Sequence, residues 1–395
     1  MASKNQTIAI SGYYGFNNSG DEAVLLSILT ALERAGQAQG VKVEPVVLSG
    51  DPATTTRLYG VRAVHRMKPG DVFGALRSCD GLISGGGSLL QDATSAKTIP
   101  YYLAVLKLAQ MLGKPTFIYA QGVGPVQKQS FYAPIRHVFS RAAYVSVRDE
   151  ESAQLLNTMG IARSGVNVVP DPVMGLRLPE GMESGSAHVF AASGENVAPD
   201  SIAPGAGGFD EEGRPYVGVS VRFWNKDRSD MDAIAAMLNK LAHDQAVHIR
   251  FLPFHGESDK AASQYIMDRL ALDEGRSVMS LCPPLEHPQA MLAEVSRCRI
   301  LIGMRLHSLI YAASQEVPML GISYDPKIDQ FLHRLGLKAV GSTQQLDADL
   351  AAAQALNTLV GVEEWRISHH EAIVQLKRQA EEPAQQVVQW LSNKR

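Results

Sequence analysis

The stretch of this sequence best equipped for chemistry is Gly303-Met304-Arg305-Leu306-His307-Ser308, which stands between a short apolar run and an amphipathic one. Arginine can grip a carboxylate or a phosphate with two parallel hydrogen bonds. Leu306 opens the following helix, whose first turn adds main-chain N–H donors and a partial positive charge. His307 can give or take a proton near neutral pH. A histidine beside a helix cap is also a common inert feature, and that reading stands next to the chemical one. Tyr324-Asp325-Pro326-Lys327 follows the next strand. Lys327 there either neutralises a departing phosphate or is simply solvated.

Three further loops suit an anionic or sugar ligand. Gly12-Tyr13-Tyr14-Gly15-Phe16-Asn17-Asn18-Ser19-Gly20-Asp21-Glu22 links the first strand to the first helix. Its glycines let the backbone approach a ligand, and the helix start offers unpaired N–H groups. The plain alternative is that Ser19 or Asp21 only caps the helix. Capping leaves Asn17-Asn18 beside two aromatics unexplained, and that grouping suits hydrogen bonds to sugar hydroxyls. Gly85-Gly86-Gly87-Ser88 and Gln121-Gly122-Val123-Gly124-Pro125 also follow strands, as does Arg148, which is either a surface partner of Asp149-Glu150-Glu151 or a cation facing a cleft. Each loop alone is ordinary. Together they make a ligand-facing rim.

Other patterns fail. Asp230-Met231-Asp232 and Asp347-Ala348-Asp349 begin helical stretches, where acidic residues are expected without a metal. His369-His370 and the pair Cys282/Cys298 lack metal-ligand spacing, and no G-x-G-x-x-G, P-loop or G-x-S-x-G is present.

The elements that must position these loops read as two α/β domains. A chain of 395 residues exceeds one ordinary core. Short apolar runs alternate with amphipathic stretches, as in parallel sheets with crossover helices. Strands are expected at Thr7–Ser11, Glu44–Leu48, Gly81–Ser84, Pro115–Ala120, Ala143–Val147 and Asn167–Val169, then at Tyr216–Val221, Val247–Pro253, Arg299–Ile302 and Pro318–Ser323. The expected division is a Rossmann-like domain over 1–178, a Gly/Ser/Pro-rich linker or insertion over 179–214, a second such domain over 215–362, and a final helix over 363–395 packing back on the first domain. Ligands bind at the carboxyl ends of such sheets, and two in succession are expected to face one central cleft.

A net charge of −3 argues against nucleic acid as a partner. The three cysteines, Cys79, Cys282 and Cys298, are too few for a disulfide framework and fit buried thiols in a reducing compartment. With no signal-peptide pattern at the start and no apolar run near the roughly 20 residues that span a bilayer, the expected location is the cytoplasm.

Taken in order, Gly15 to Glu22, Gly85-Gly86-Gly87, Gln121 to Pro125, Ser146-Val147-Arg148-Asp149 and Met304 to Ser308 resemble the polysaccharide pyruvyl transferase family. The resemblance runs from about Ile8 to Phe331 and is nearest to the cell-surface-anchoring (CsaB) branch. It implies a GT-B-like fold and transfer of the pyruvyl unit of phosphoenolpyruvate to a sugar as a cyclic ketal, with release of phosphate. In that branch the acceptor resembles an N-acetylmannosamine residue on a lipid-diphosphate-linked disaccharide, which would bring the enzyme to the inner face of the membrane.

On this reading the first domain takes the acceptor and the second the donor. Arg148 and Arg305 bind the donor's charges, Lys327 faces the leaving phosphate, and His307 either moves the proton or only binds phosphate. Gly15, Asn17, Asn18, Asp21, Gly86, Gly87, Gln121, Gly122 and Leu306 are expected to contact substrate. No metal or cofactor is expected beyond the donor substrate. The alternatives are a nucleotide-sugar glycosyltransferase of the same architecture and a non-catalytic sugar-binding module.

Overall fold

A computed structural model describes residues 4–16, 18–92, 97–179 and 208–393. Most of the expected linker, residues 180–207, lies outside the described residues, as does Asn17. The chain divides into two compact units: Met1–Leu176 with Leu376–Arg395, and Arg177–Gln375.

In the first unit seven parallel strands, β1 (Lys4–Ser11), β2 (Val41–Ser49), β3 (Arg62–His65), β4 (Gly81–Gly85), β5 (Thr116–Gln121), β6 (Tyr144–Val147) and β7 (Asn167–Val168), lie in the order β3-β2-β1-β4-β5-β6-β7. The order reverses between β1 and β4, whose ends pair Ser11 with Ser84. β4 and β5 are buried along their whole length, which is why they read as continuous apolar runs. Ala9, Leu82, Ile118 and Val147 pack under Leu103, Leu106, Ile135 and Leu156 from the covering helices. Each such side chain contributes about 1.5–3 kcal/mol by leaving water. The last part of the long helix Val362–Asn393 belongs to this unit. There Glu381 pairs with Arg34 at 3.0 Å, and the Trp390 ring meets Phe117 edge-on at 5.5 Å.

The second unit repeats the plan. β8 (Tyr216–Ser220), β9 (His248–Phe251), β10 (Val278–Leu281), β11 (Ile300–Gly303), β12 (Met319–Ser323) and β13 (Gly341–Ser342) lie parallel in the order β10-β9-β8-β11-β12-β13. The reversal falls between β8 and β11, and Ser220 pairs with Gly303 there. Val217, Val219, Ile300 and Ile302 pack against Met231, Ile234, Leu238 and Leu241 of the helix Ser229–Asp244. The approach to β8 is a turn in which Asp210 accepts from Arg214 Nε at 2.7 Å and contacts His248 Nδ1 at 3.1 Å.

All three cysteines are free and buried, and burial pushes the Cys79 thiol up to about 11. Among the described residues no helix is long and apolar enough to cross a membrane.

Candidate functional site

In the first unit the β1–β4 switch point gathers the loops singled out from sequence. The helix Ser19–Gln39 is capped by Asn18, whose Oδ1 accepts the Gly20 N–H at 3.2 Å; neither Ser19 nor Asp21 is the cap. Asn18 Nδ2 donates to Asp21 Oδ2 at 2.6 Å, so both ends of its amide are engaged by the protein. The Gly15 N–H donates to Glu22 Oε1 at 2.7 Å, and Tyr59 Oη donates to the other oxygen at 2.8 Å. Glu22 thus fastens the loop from beneath.

Gly86 and Gly87 both adopt left-handed φ, +62° and +70°. A Cβ on Gly86 would lie 1.9 Å from Val24 Cγ1, and one on Gly87 would lie 2.9 Å from Asp21 Oδ1. Only glycine lets this turn pass so near the Asp21 carboxyl.

That carboxyl is pushed up to about 7, first by burial and then by the neighbouring Glu22 and Asp171 carboxylates, against the pull of Arg148 and the bond from Asn18. A group titrating there can accept or give a proton at neutral pH. The shift has a consequence for stability. The folded chain binds a proton here that the unfolded chain, with an aspartate near 3.8, has already lost. Stability therefore falls as pH rises from about 4 to about 7. Asp21→Asn should remove that slope, so its thermal midpoint should gain on the wild type across this window and nowhere else. Parallel midpoint curves for the two proteins would show the carboxyl to be ordinary.

Arg148, at the end of β6, is held by neighbours from three parts of the fold, among other contacts. Nη2 donates to Ser88 Oγ at 3.2 Å, Nη1 reaches Asp171 at 3.4 Å, and Nε lies 3.6 Å from Asp149. A Cβ on Gly122 would come within 2.9 Å of Nη2, so this glycine makes room for the guanidinium, while its N–H donates to Gly87 O at 2.9 Å. Gln121 is fully buried; its Oε1 is 3.5 Å from Ser84 Oγ, and its Nε2 has no hydrogen-bond partner among the described residues. Ser11 Oγ, across β1 and β4 from Ser84, is likewise buried without a partner. Buried polar atoms usually find a partner, and these two lie at the carboxyl ends of β1 and β5, where folds of this kind bind ligands.

The two adjacent tyrosines have separate fates. Tyr14 is buried and donates to Gly85 O at 2.7 Å, whereas Tyr13 is exposed and stacks on Phe16 at 4.3 Å. Arg66 lies buried beside the Tyr13–Phe16 stack. Its Nη1 donates to Gly12 O at 2.7 Å, and its guanidinium sits 4.4 Å from the Tyr101 ring centre. Nothing in the sequence pattern marks this arginine.

In the second unit β11 delivers Arg305 to the cap position of the helix Leu306–Ser314. A Cβ on Gly303 would come within 2.6 Å of Ser308 Oγ, which donates to Arg305 O at 2.7 Å. Arg305 was expected to be an anchor for a ligand anion, and the structure adds a resident partner. Its Nε donates to Asp259 Oδ2 at 2.9 Å, and Nη2 makes a very short contact with Oδ1. Asp259 is fully buried and also accepts the His255 N–H at 2.9 Å. The Nη1 side of the guanidinium is the part not engaged by that pair.

His307 follows on the first helical turn, half-buried, and the side chain of Leu306 is buried, which leaves only its main chain for a ligand. Lys327 pairs with Asp325 at 3.1 Å, and Asp325 caps the helix Pro326–Arg334 through the Lys327 N–H. The structure therefore brings Gly15, Asn18, Asp21, Gly86, Gly87, Gln121, Gly122 and Arg148 to one sheet edge, and Arg305, Leu306, His307 and Lys327 to the equivalent edge of the other sheet. Sequence reasoning missed Asp259, Asp171 and Arg66.

Residues 18–326 match the family model for polysaccharide pyruvyl transferases. Among curated proteins none matches the sequence significantly. Solved structures show the same fold at low identity. A glycosyltransferase from Rickettsia africae is 10% identical with a TM-score of 0.61 over 99% of this chain and 100% of its own. The UDP-GlcNAc 2-epimerase of Neisseria meningitidis, bound to UDP-GlcNAc, is 11% identical with a TM-score of 0.59 over 98% and 100%. HepE of Anabaena, in complex with UDP and glucose, is 13% identical with a TM-score of 0.56 over 98% and 99%. The fold class is the one expected, two Rossmann-like parallel-sheet domains of the GT-B type.

Proposed function

The chain belongs to the polysaccharide pyruvyl transferase family, and from that premise we propose that it moves the pyruvyl group of phosphoenolpyruvate onto a sugar as a cyclic ketal, releasing phosphate. The observation that carries the reading is the extent of the family match. It includes Asp21, Arg148, Arg305 and His307 and stops one residue short of Lys327. Within the family the reading proposed is the cell-surface-anchoring branch, which the sequence resembles most. The proposed acceptor is accordingly N-acetylmannosamine on a lipid-diphosphate-linked disaccharide, met at the cytoplasmic face of the membrane.

The chemistry balances on these residues. The methylene carbon C3 of the donor gains a proton, and C2 takes on oxocarbenium character. A sugar hydroxyl adds to C2 and loses its proton; the bond from C2 to the phosphate oxygen then breaks. A second hydroxyl adds and loses its proton to close the ring. Of the two hydroxyl protons, one balances that delivered to C3 and the other leaves on hydrogen phosphate. Arg148, Arg305 and Lys327 are assigned to the donor's carboxylate and phosphate, where fixed cations stabilise the charge that departs. His307 is assigned the proton transfer at C3. No electron is gained or lost overall, so the scheme needs no redox cofactor.

The test is phosphate release from phosphoenolpyruvate with and without the lipid-linked disaccharide, with the acceptor followed by mass spectrometry. Acceptor-dependent phosphate and the mass gain of one pyruvate ketal are expected. Silence with this acceptor and with a panel of other sugars would overturn the donor assignment. Release of a nucleoside diphosphate from a nucleotide sugar would instead establish glycosyl transfer.

A further inference from the structure

Arg305 and Lys327, the cations read from sequence in the second unit, each have a carboxylate beside them, Asp259 and Asp325. A third cation at the same sheet edge does not. Past the end of β8 the chain runs Val221-Arg222-Phe223-Trp224, and Arg222 Nη1 donates to Tyr324 Oη, just past β12, at 3.1 Å. Because β11 lies between β8 and β12, this bond bridges the carboxyl end of β11, where the loop bearing Arg305 and His307 departs.

The guanidinium carbon is 5.3 Å from the Trp224 ring centre and 5.0 Å from that of Tyr324, and the two rings lie 4.5 Å apart. Among the described residues Arg222 Nε, sealed from solvent, has no hydrogen-bond partner, and neither has Ser220 Oγ at the end of β8. Among the described residues no carboxylate pairs with Arg222. Aromatic faces offset part of the cost of a half-buried cation, but they supply no acceptor for its N–H groups. An incoming oxyanion supplies both charge and acceptors.

We propose that Arg222 is a further anchor in the second unit for an oxyanion of the donor, beside Arg305 and Lys327, held at the end of β11 with Trp224 as one wall of the site. The inference rests on the donor reading given above. Trp224 is 46% exposed and is one of three tryptophans, so it can report binding directly.

In the full chain carrying Trp365→Phe and Trp390→Phe, titration with phosphoenolpyruvate should give a saturable change in Trp224 emission. Arg222→Gln in that background should weaken binding by about tenfold or more, as expected for loss of a charged hydrogen bond. Arg222→Lys should recover part of it and serves as the variant most certain to fold. Inorganic phosphate and pyruvate, titrated separately, identify the group held: the fragment whose affinity falls in Arg222→Gln is the one Arg222 grips. Equal affinity of Arg222→Gln and its parent for phosphoenolpyruvate overturns the proposal while leaving the donor reading intact. No binding of phosphoenolpyruvate to the parent overturns both.

Discussion

Replacement of His307 by alanine is expected to lower turnover at saturating substrates by about 10²–10⁴-fold, the range for loss of a general acid or base. The position argues for it. His307 sits on the first turn of the helix Leu306–Ser314, two residues beyond the Asp259-braced Arg305. On the proposed reading it meets the donor's C3 while the arginine holds the donor's charge. A phosphate-binding role makes a different prediction, because an interaction made equally in ground and transition states raises KM and leaves kcat largely unchanged. Steady-state kinetics of His307→Ala and His307→Gln separate the two. The glutamine variant keeps a hydrogen-bond donor but cannot shuttle a proton at neutral pH, so it should be as slow as alanine if the imidazole transfers the proton. Near-wild-type kcat with raised KM in His307→Gln would assign the side chain to binding alone.

Much of the scaffold was legible in the sequence, for a physical reason. The central strands are buried on both faces, so β1, β4, β5, β8, β11 and β12 stand out as apolar runs. The edges do not. β3 (Arg62–His65), β10 (Val278–Leu281) and β13 (Gly341–Ser342) are short and only partly covered, and their sequences carry no such signal. The helices Pro52–Tyr59, Pro69–Ser78 and Pro326–Arg334 each open with proline, a known mark of a first helical turn. The candidate site loops were legible because glycine and charge follow strand ends. Their partners were not, because packing brings them from elsewhere in the chain. Asp259 meets Arg305 across 46 positions, Asp171 meets Arg148 across 23, and Arg66 meets Gly12 across 54. No local pattern encodes such a pair, and so sequence alone left Arg148 and Arg305 looking more available than they are.

The same pairing makes Asp259 the residue of the second unit whose truncation should do most harm to stability. Asp259 is fully buried and engages Arg305 through both carboxylate oxygens, while also accepting the His255 main-chain N–H. Asp259→Ala would leave a largely buried guanidinium without its counter-charge and the His255 N–H without its acceptor. Breaking a buried pair from one side typically costs about 3–5 kcal/mol. In urea unfolding, the transition belonging to the second unit should shift down accordingly, whereas the first unit's transition should hold its place. The double variant Asp259→Ala, Arg305→Met should regain much of the loss, because the stranded charge is then gone. Activity should follow a different course. Arg305→Met removes one of the proposed donor anchors, so the double variant should be stable and inactive, while Asp259→Asn, which keeps shape and one acceptor, should fold and bind the donor weakly. A loss of less than about 1 kcal/mol in Asp259→Ala would mean that Arg305 finds solvent or another acceptor once released, and that its orientation toward the donor does not depend on Asp259.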